Sequence, residues 1–365
     1  MRGATGMKVL VTGHNGYIGS VMVRVLADAG HDIYGLDSYL FEHCTFGGDQ
    51  PDVPARRVDL RDVQASDLQG FDAVIHLAAI SNDPLGNLNP QGTYDINHLA
   101  SVRLAEKARE AGVQRFLFAS SCSTYGLSGS DDLLTESATF NPITPYGESK
   151  VLVERDVTKL ATSDFSPVFL RNATAYGVSP RLRADIVVNN LVGRAFTTGE
   201  IRIESDGTPW RPLVHIEDIS RAFLAVLDAP REIIHNQPFN VGQSTENYRI
   251  SEIADMVMAI VPGSRVTYAE GGGPDPRCYR VDCSRIAAVL PAFKPKWTVP
   301  DGVRELYEAY RAHGLTYDEF VGEGSRYLRI RHIQRLQRAG RLTDDLRWTT
   351  SMPAAASAAP VGAAS

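Results

Sequence analysis

Residues 8–20 read KVLVTGHNGYIGS. KVLVT is rich in β-branched residues, which suits a short buried strand. The run ends in glycine, and Ile18, Val21, Met22, Val25 and Leu26 then follow at helical spacing. Three glycines, Gly13, Gly16 and Gly19, divide the work of a strand-to-helix turn around a diphosphate. Gly13 makes the tight turn, Gly16 lets the backbone approach a pyrophosphate, and Gly19 lets the helix pack close to the sheet. The helix N-terminus then offers free N–H groups and partial positive charge to the phosphates. The spacing is GxxGxxG, not the common GxGxxG, and glycines alone fit an ordinary strand-to-helix turn. Context favours the nucleotide. A strand precedes, an apolar helix follows, and Asp37 ends the next strand candidate, 31–36 (HDIYGL). An acid there takes ribose hydroxyls and repels a 2′-phosphate, so NAD is expected over NADP.

Outward from this turn, 71–77 (FDAVIHL), 115–119 (RFLFA) and 167–170 (PVFL) are further strand candidates. Residues 95–111 and 151–161 carry helical patterns between and after them. The alternation predicts an α/β fold, a Rossmann-like doubly wound parallel sheet covered on both faces. After Tyr176 the rhythm changes. Residues 177–183 (GVSPRLR) are loop-like, 186–196 helical and 201–203 a short strand. The strand 212–215 and the helix 216–227 look like a return to the first layer. Helices over 250–260 and 302–312 and a strand over 265–268 complete the pattern. These patterns predict an NAD-binding domain over 7–180 and about 211–245. A smaller α/β substrate domain would take about 181–210 and 246–348, followed by a disordered tail over 349–365.

The chain has 365 residues, 43% apolar and 22% charged, enough to bury a core without crosslinks. A formal net charge of −6 gives no global pull toward nucleic acid or an anionic membrane. Cys44, Cys122, Cys278 and Cys283 form no CxxC, so no metal site is expected and a reducing compartment fits. No apolar run approaches a membrane span, and the N-terminal sequence has no secretory h-region, so a cytoplasmic protein is expected. Residues 326–347 are strongly arginine-rich, with Tyr327, Ile330, Ile333 and Leu336 three apart. An amphipathic helix packed on its own protein is expected there. No aromatic platform accompanies the charges, as a nucleic-acid surface would require.

Tyr146 and Lys150 stand four apart in PYGESK, on one face of a helix beginning after Pro145. A lysine ammonium beside a phenol lowers the tyrosine pKa, and such a phenol can take a proton from a sugar hydroxyl. Ser120 and Ser121 follow an apolar strand at its C-terminal end, where ligands sit in open parallel sheets. Ser121 can hydrogen-bond the same hydroxyl. Asp59, in DLRD, either holds an adenine amine or caps a helix, and the sequence leaves both open.

In order, TGHNGYIG, Asp37, HLAA (76–79), Asn97, SSCSTYG (120–126), YGESK, RPLVHIED (211–218) and FNVG (239–242) resemble the extended short-chain dehydrogenase/reductase family. The branch is that of NAD-dependent nucleotide-sugar epimerases and dehydratases, and the likeness runs from about Lys8 to about Ala312. It implies tightly held NAD, a small domain for a nucleotide-diphosphate sugar and a homodimer through paired helices. It implies Ser121, Tyr146 and Lys150 as the catalytic set. For the cofactor it adds Asn15, Tyr17, Ile18, Asp59, Leu60, Leu77, Ala78, Ala79, Asn97 and Ser120 to the glycines and Asp37. For the substrate it points to Ser121, Cys122, Ser123, Thr174, Asn190, Arg211 and Arg277, with the two arginines at the diphosphate.

Departures from the family narrow the chemistry. Sugar 4,6-dehydratases carry an Asp-Glu pair directly after the catalytic hydroxyl residue, where this chain has Cys122 and Ser123. Related decarboxylases keep a Glu at the second of these. Thr174 stands where many relatives have an asparagine, and Asn189 or Asn190 could supply an amide instead. The expectation is an epimerase acting at sugar C4 through a transient 4-keto sugar. The alternatives are a one-way nucleotide-sugar 4-dehydrogenase or 4-ketoreductase and, in another class, a non-catalytic NAD-sensing protein.

Overall fold

The protein is described by a computed structural model covering residues 6–48, 52–81, 83–127, 132–271, 273 and 277–349. Seven parallel strands form the main sheet: β1 (Lys8–Thr12), β2 (Asp32–Asp37), β3 (Ala55–Arg57), β4 (Ala73–His76), β5 (Arg115–Ser121), β6 (Ser166–Asn172) and β7 (Pro238–Val241). Their spatial order is β7-β6-β5-β4-β1-β2-β3. The chain leaves β1 toward one edge and returns to β4 on the other side. The strand order therefore reverses between β1 and β4, and a crevice opens there at the C-terminal strand ends.

Alternation along β1 loads both faces. Val9 and Val11 join one apolar cluster, and Leu10 joins another on the opposite face. Helix α1 (Gly19–Asp28) contributes Met22, Val23 and Leu26 to the first face. Helices α2 (Ala100–Glu110) and α3 (Pro145–Val157) cover the second with Leu104, Ala108, Val153 and Val157. The expected helix over 95–111 is a π-helical turn, Asp95–Leu99, running into α2. Helix α3 begins at Pro145, as the PYGESK spacing suggested, and takes in the first part of the 151–161 pattern, ending at Val157. Thr144 caps it by accepting from the Gly147 N–H at 3.2 Å, and proline at the first position needs no partner.

A second core gathers α4 (Val187–Thr198), α6 (Ile250–Ile260) and α7 (Val299–His313) around a two-stranded parallel sheet, Glu200–Ile203 with Arg265–Tyr268. Between the cores, α5 (Ile216–Asp228) returns to pack on α1, as its pattern suggested. The strand before it does not return. Trp210–His215 pairs with Thr174–Tyr176 and Asn247–Arg249 in a separate small sheet. The edge of β6 that it would have joined is occupied by β7.

The arginine-rich stretch forms a shorter helix than its charge pattern suggested, α8 (Arg329–Arg338). It packs on the protein itself, through Ile333 and Leu336 against Leu40, Ile80, Leu85 and Ile96. That places it on the nucleotide half, although its position in sequence suggested the substrate domain. The tail expected over 349–365 lies outside the described residues except for Thr349. Among the described residues no helix is long and apolar enough to cross a membrane.

Candidate functional site

A cavity of about 820 Å³ runs along the C-terminal ends of the strands, from the glycine turn to the second core. Gly13 adopts φ 76°, and a Cβ there would lie 2.7 Å from the Ala78 nitrogen. A Cβ on Gly19 would lie 2.1 Å from the Gly13 carbonyl oxygen. Both positions thus exclude a side chain, one for the turn and one for the seating of α1. Gly16, Tyr17 and Ile18 line the cavity beside them. The Asp37 carboxylate also lines it, held by the backbone N–H groups of Asn15 at 3.1 Å and Tyr39 at 2.7 Å. Asn15 itself does not line the cavity. Its side-chain oxygen accepts from Arg181 Nε at 2.9 Å.

Leu60, Leu77, Ala78 and Ala79 form further wall. Asp59 lies at the cavity and also caps the short turn after β3. Its carboxylate is clamped by Arg61 at 2.9 and 2.7 Å, and this pairing holds it below the usual carboxylate range against its burial. Asn97 is placed behind the wall rather than on it. Its amide bridges the N–H and C=O of Ile80, a cavity residue, at 2.7 and 2.9 Å. The residues fit a dinucleotide: a close backbone approach at the glycine turn, the N-terminus of α1 and an acid at the end of β2 face one elongated space.

Ser121, Tyr146 and Lys150 converge on this space from β5 and α3. The Ser121 hydroxyl accepts from the Ser123 N–H and hydroxyl at 3.1 and 2.9 Å. Lys150 is buried, donates to the Ala119 carbonyl at 2.7 Å, and holds its ammonium 5.8 Å from the centre of the Tyr146 ring. Burial brings its pKa down to about 7, with Glu154 opposing. The spacing suggested a lowered tyrosine. The geometry gives the reverse, because burial raises Tyr146 and the Ser121 hydroxyl only partly opposes it. Ser120 lines the cavity and hydrogen-bonds Glu154, which forms a buried ion pair with Arg171 at 2.7 Å.

On the sugar side, Ser123, Thr174, Asn190, Arg211 and Arg277 line the cavity. Cys122 does not. It opens the short turn Cys122–Thr124 after β5 and points into the core, its thiol donating to the Arg171 carbonyl at 3.2 Å. Asn189 is also internal, bonding the Gly177 N–H at 3.1 Å and the Tyr17 hydroxyl at 3.2 Å. Arg211 donates to the Trp210 carbonyl at 2.8 Å, and Arg277 pairs with Asp83 at 2.5 Å. Sequence reading missed Arg194, Arg329 and Leu346, which lie on the cavity wall together with Arg183 and Tyr279.

The model of the NAD dependent epimerase/dehydratase family matches residues 9–242. The chain belongs to that family. The family is NAD-dependent, and the elongated cavity with its glycine turn is where this chain's residues fit NAD. A UDP-glucose 4-epimerase of Lactobacillus helveticus is 28% identical, over 86% of this chain and 100% of its own length. The structure of MoeE5 in complex with UDP-glucuronic acid and NAD is 29% identical, covering 84% of this chain and 99% of that chain at a TM-score of 0.72. TunA, an NAD-dependent NDP-hexosamine 5,6-dehydratase, shares the fold at a TM-score of 0.74 with 21% identity, covering 84% and 98%. Fold alone therefore does not separate epimerisation from dehydration, and the side chains in the cavity must.

Proposed function

We propose that the protein is an NAD-dependent nucleotide-sugar 4-epimerase acting on a uridine diphosphate hexose or hexuronate. One observation carries the reading. Ser121, Tyr146 and Lys150 share a cavity with Arg211 and Arg277, and among the described residues every acid on its wall is already engaged. Asp37 is held by backbone N–H groups, and Asp59, Asp83, Asp185 and Glu204 pair with Arg61, Arg277, Arg183 and Arg202. None follows Ser121, so among the described residues no free carboxylate stands where loss of water would need an acid and a base.

Bound NAD supplies reversible hydride acceptance at sugar C4. The chain's own work is on the proton and the pose. Tyr146 Oη takes and returns the proton of the 4-hydroxyl, and Ser121 Oγ orients that hydroxyl. Lys150 in its charged form, its ammonium 5.8 Å from the centre of the Tyr146 ring, favours the phenolate that takes the proton. Arg211 and Arg277 fix the diphosphate, so that the sugar can turn over while the nucleotide stays anchored. The larger assembly in this reading is a homodimer through α2 and α3. Leu99, 56% exposed beside α2, supports it as an apolar contact. Light scattering at twice the chain mass checks it.

The test offers UDP-glucose, UDP-galactose and UDP-glucuronate in turn to the purified protein and follows products by NMR. The expected outcome is inversion at C4 of at least one, with no net NADH. Stoichiometric NADH would select the one-way oxidoreductase. No change at C4 in any nucleotide hexose or hexuronate would overturn the reading.

A further inference from the structure

Beyond the family match, which ends at residue 242, the chain comes back to the cofactor end of the cavity. Helix α8 and the turn after it are tied to the loop following β2. His332 Nε2 bonds the Leu40 carbonyl at 2.9 Å, and Trp348 Nε1 donates to the Ser38 carbonyl at 2.7 Å. Arg347 reaches Asp62 at 2.7 Å, and Arg61 donates to the Asp345 carbonyl at 2.7 Å. Leu346 holds φ 61° and presents to the cavity. A leucine in that conformation is strained and persists only where its surroundings impose it.

The same segment brings in Arg329, which is 3% exposed and lines the cavity. Its guanidinium lies 3.9 Å over the Phe41 ring, and Nη2 donates to the Arg181 carbonyl at 3.0 Å. Nη1 is buried and has no hydrogen-bond partner among the described residues. The ring takes the face of the guanidinium, so the in-plane N–H donors remain for something else. Leaving a charged donor unmade in the interior is costly. The nearby groups do not relieve it: the buried Cys44 thiol beside it is pushed up by burial and stays neutral, Arg181 and Arg183 add positive field, and Asp185 is already paired with Arg183. What is missing is an anion.

We propose that Arg329 binds the diphosphate of a nucleotide in this cavity, and that residues 329–348 are the wall that carries it there. A guanidinium fork matches phosphate oxygens, and here it is delivered by a segment outside the part of the chain that matches the family. Two nucleotides bring a diphosphate, the dinucleotide and the nucleotide sugar. Arg329 is held by the Arg181 carbonyl, and Arg181 in turn holds Asn15 of the glycine turn, a position that favours the dinucleotide. The inference rests on the cofactor site and not on C4 epimerisation.

The experiment measures equilibrium binding of ADP, adenosine, UDP and uridine to the full chain freed of nucleotide. For Arg329→Gln, ADP affinity is expected to fall by roughly 10- to 100-fold with adenosine unchanged. A fall in UDP at constant uridine, with ADP spared, would assign Arg329 to the sugar nucleotide and still support an anion-binding residue. Equal losses for ADP and adenosine, or no loss for either diphosphate, would overturn the proposal. Arg329→Lys keeps the charge without the fork and serves if Arg329→Gln does not fold. A lower ratio of ADP to adenosine affinity supports the proposal, and the wild-type ratio overturns it. Wild-type protein that binds neither ADP nor NAD would refute the cofactor site itself and the proposal with it. Wild-type binding of NAD without turnover of any sugar would overturn only the epimerase reading.

Discussion

Tyr146 makes contact with the reacting hydroxyl in the proposed mechanism through one atom, its phenolic oxygen. Removing that atom in Tyr146→Phe leaves the ring, and so should leave the cavity wall intact. Turnover is expected to fall by about 10²–10⁴-fold, the usual worth of a positioned acid–base group, with NAD affinity unchanged. Unchanged turnover in a steady-state assay would remove Tyr146 from the mechanism. A second buried group sets an acid limit on stability. His76 is wholly buried between the hydroxyls of Thr12 and Ser101, each at 2.7 Å, and burial takes its pKa down to about 3. In the unfolded chain it titrates near 6.5. Below that pH the unfolded state binds a proton that the folded state refuses. The contribution is therefore full above about pH 6.5 and is lost as pH falls toward 3. His76→Gln is expected to flatten the fall of unfolding free energy between pH 6.5 and 4 by up to about 1.4 kcal/mol per pH unit. Urea titrations across that range check it, and an unaltered slope would count against the assignment.

At the scale of elements, the glycine turn was the most legible part of the sequence because its demands are local. Gly19 faces backbone atoms within a few residues and Gly13 those just past the end of the adjoining strand β4, and no other residue type fits. Gly19→Ala forces a methyl against the Gly13 carbonyl. It is expected to cost about 1–3 kcal/mol and to weaken NAD binding together with stability, as thermal melts with and without NAD would show. Strands β1, β4, β5 and β6 were legible for a related reason: buried on both faces, they read as apolar runs. The strand Trp210–His215 looked the same and was misplaced, because pattern reports burial and not which edge is vacant. Asn97 and Cys122 were misread likewise. Their positions follow the family's motifs, but which way each points is decided by Ile80 and by the Arg171 carbonyl. Nothing in the local sequence announces either partner.

At the scale of the whole molecule, the two cores meet across the site through a few buried polar contacts. The Tyr17 hydroxyl donates to the Gly177 carbonyl at 2.7 Å, and the Ser20 and Ser179 hydroxyls meet at 3.0 Å. Tyr17→Phe leaves the Gly177 carbonyl short of a buried donor. It is expected to cost about 1–3 kcal/mol and to raise the KM for nucleotide sugar more than it lowers kcat, since it loosens the seat of the second core. A change in kcat alone would refute that role. The wall built by α8 was illegible for the opposite reason to the glycine turn. An amphipathic, arginine-rich helix was apparent, but its seat lies at Leu40, 292 residues away along the chain.

That separation also orders events in time. The strands that begin the nucleotide site are synthesised well before the side of the cavity carrying Arg329 and Leu346. At ribosomal speeds of about 5–20 residues per second, the interval between Leu40 and His332 is roughly 15–60 s. Throughout it the first half can fold as a sheet with an unfinished pocket. A nucleotide captured in that interval would be held without the final wall. If Arg329 holds the cofactor's diphosphate as proposed, full retention begins only once residues 329–348 have been made and seated.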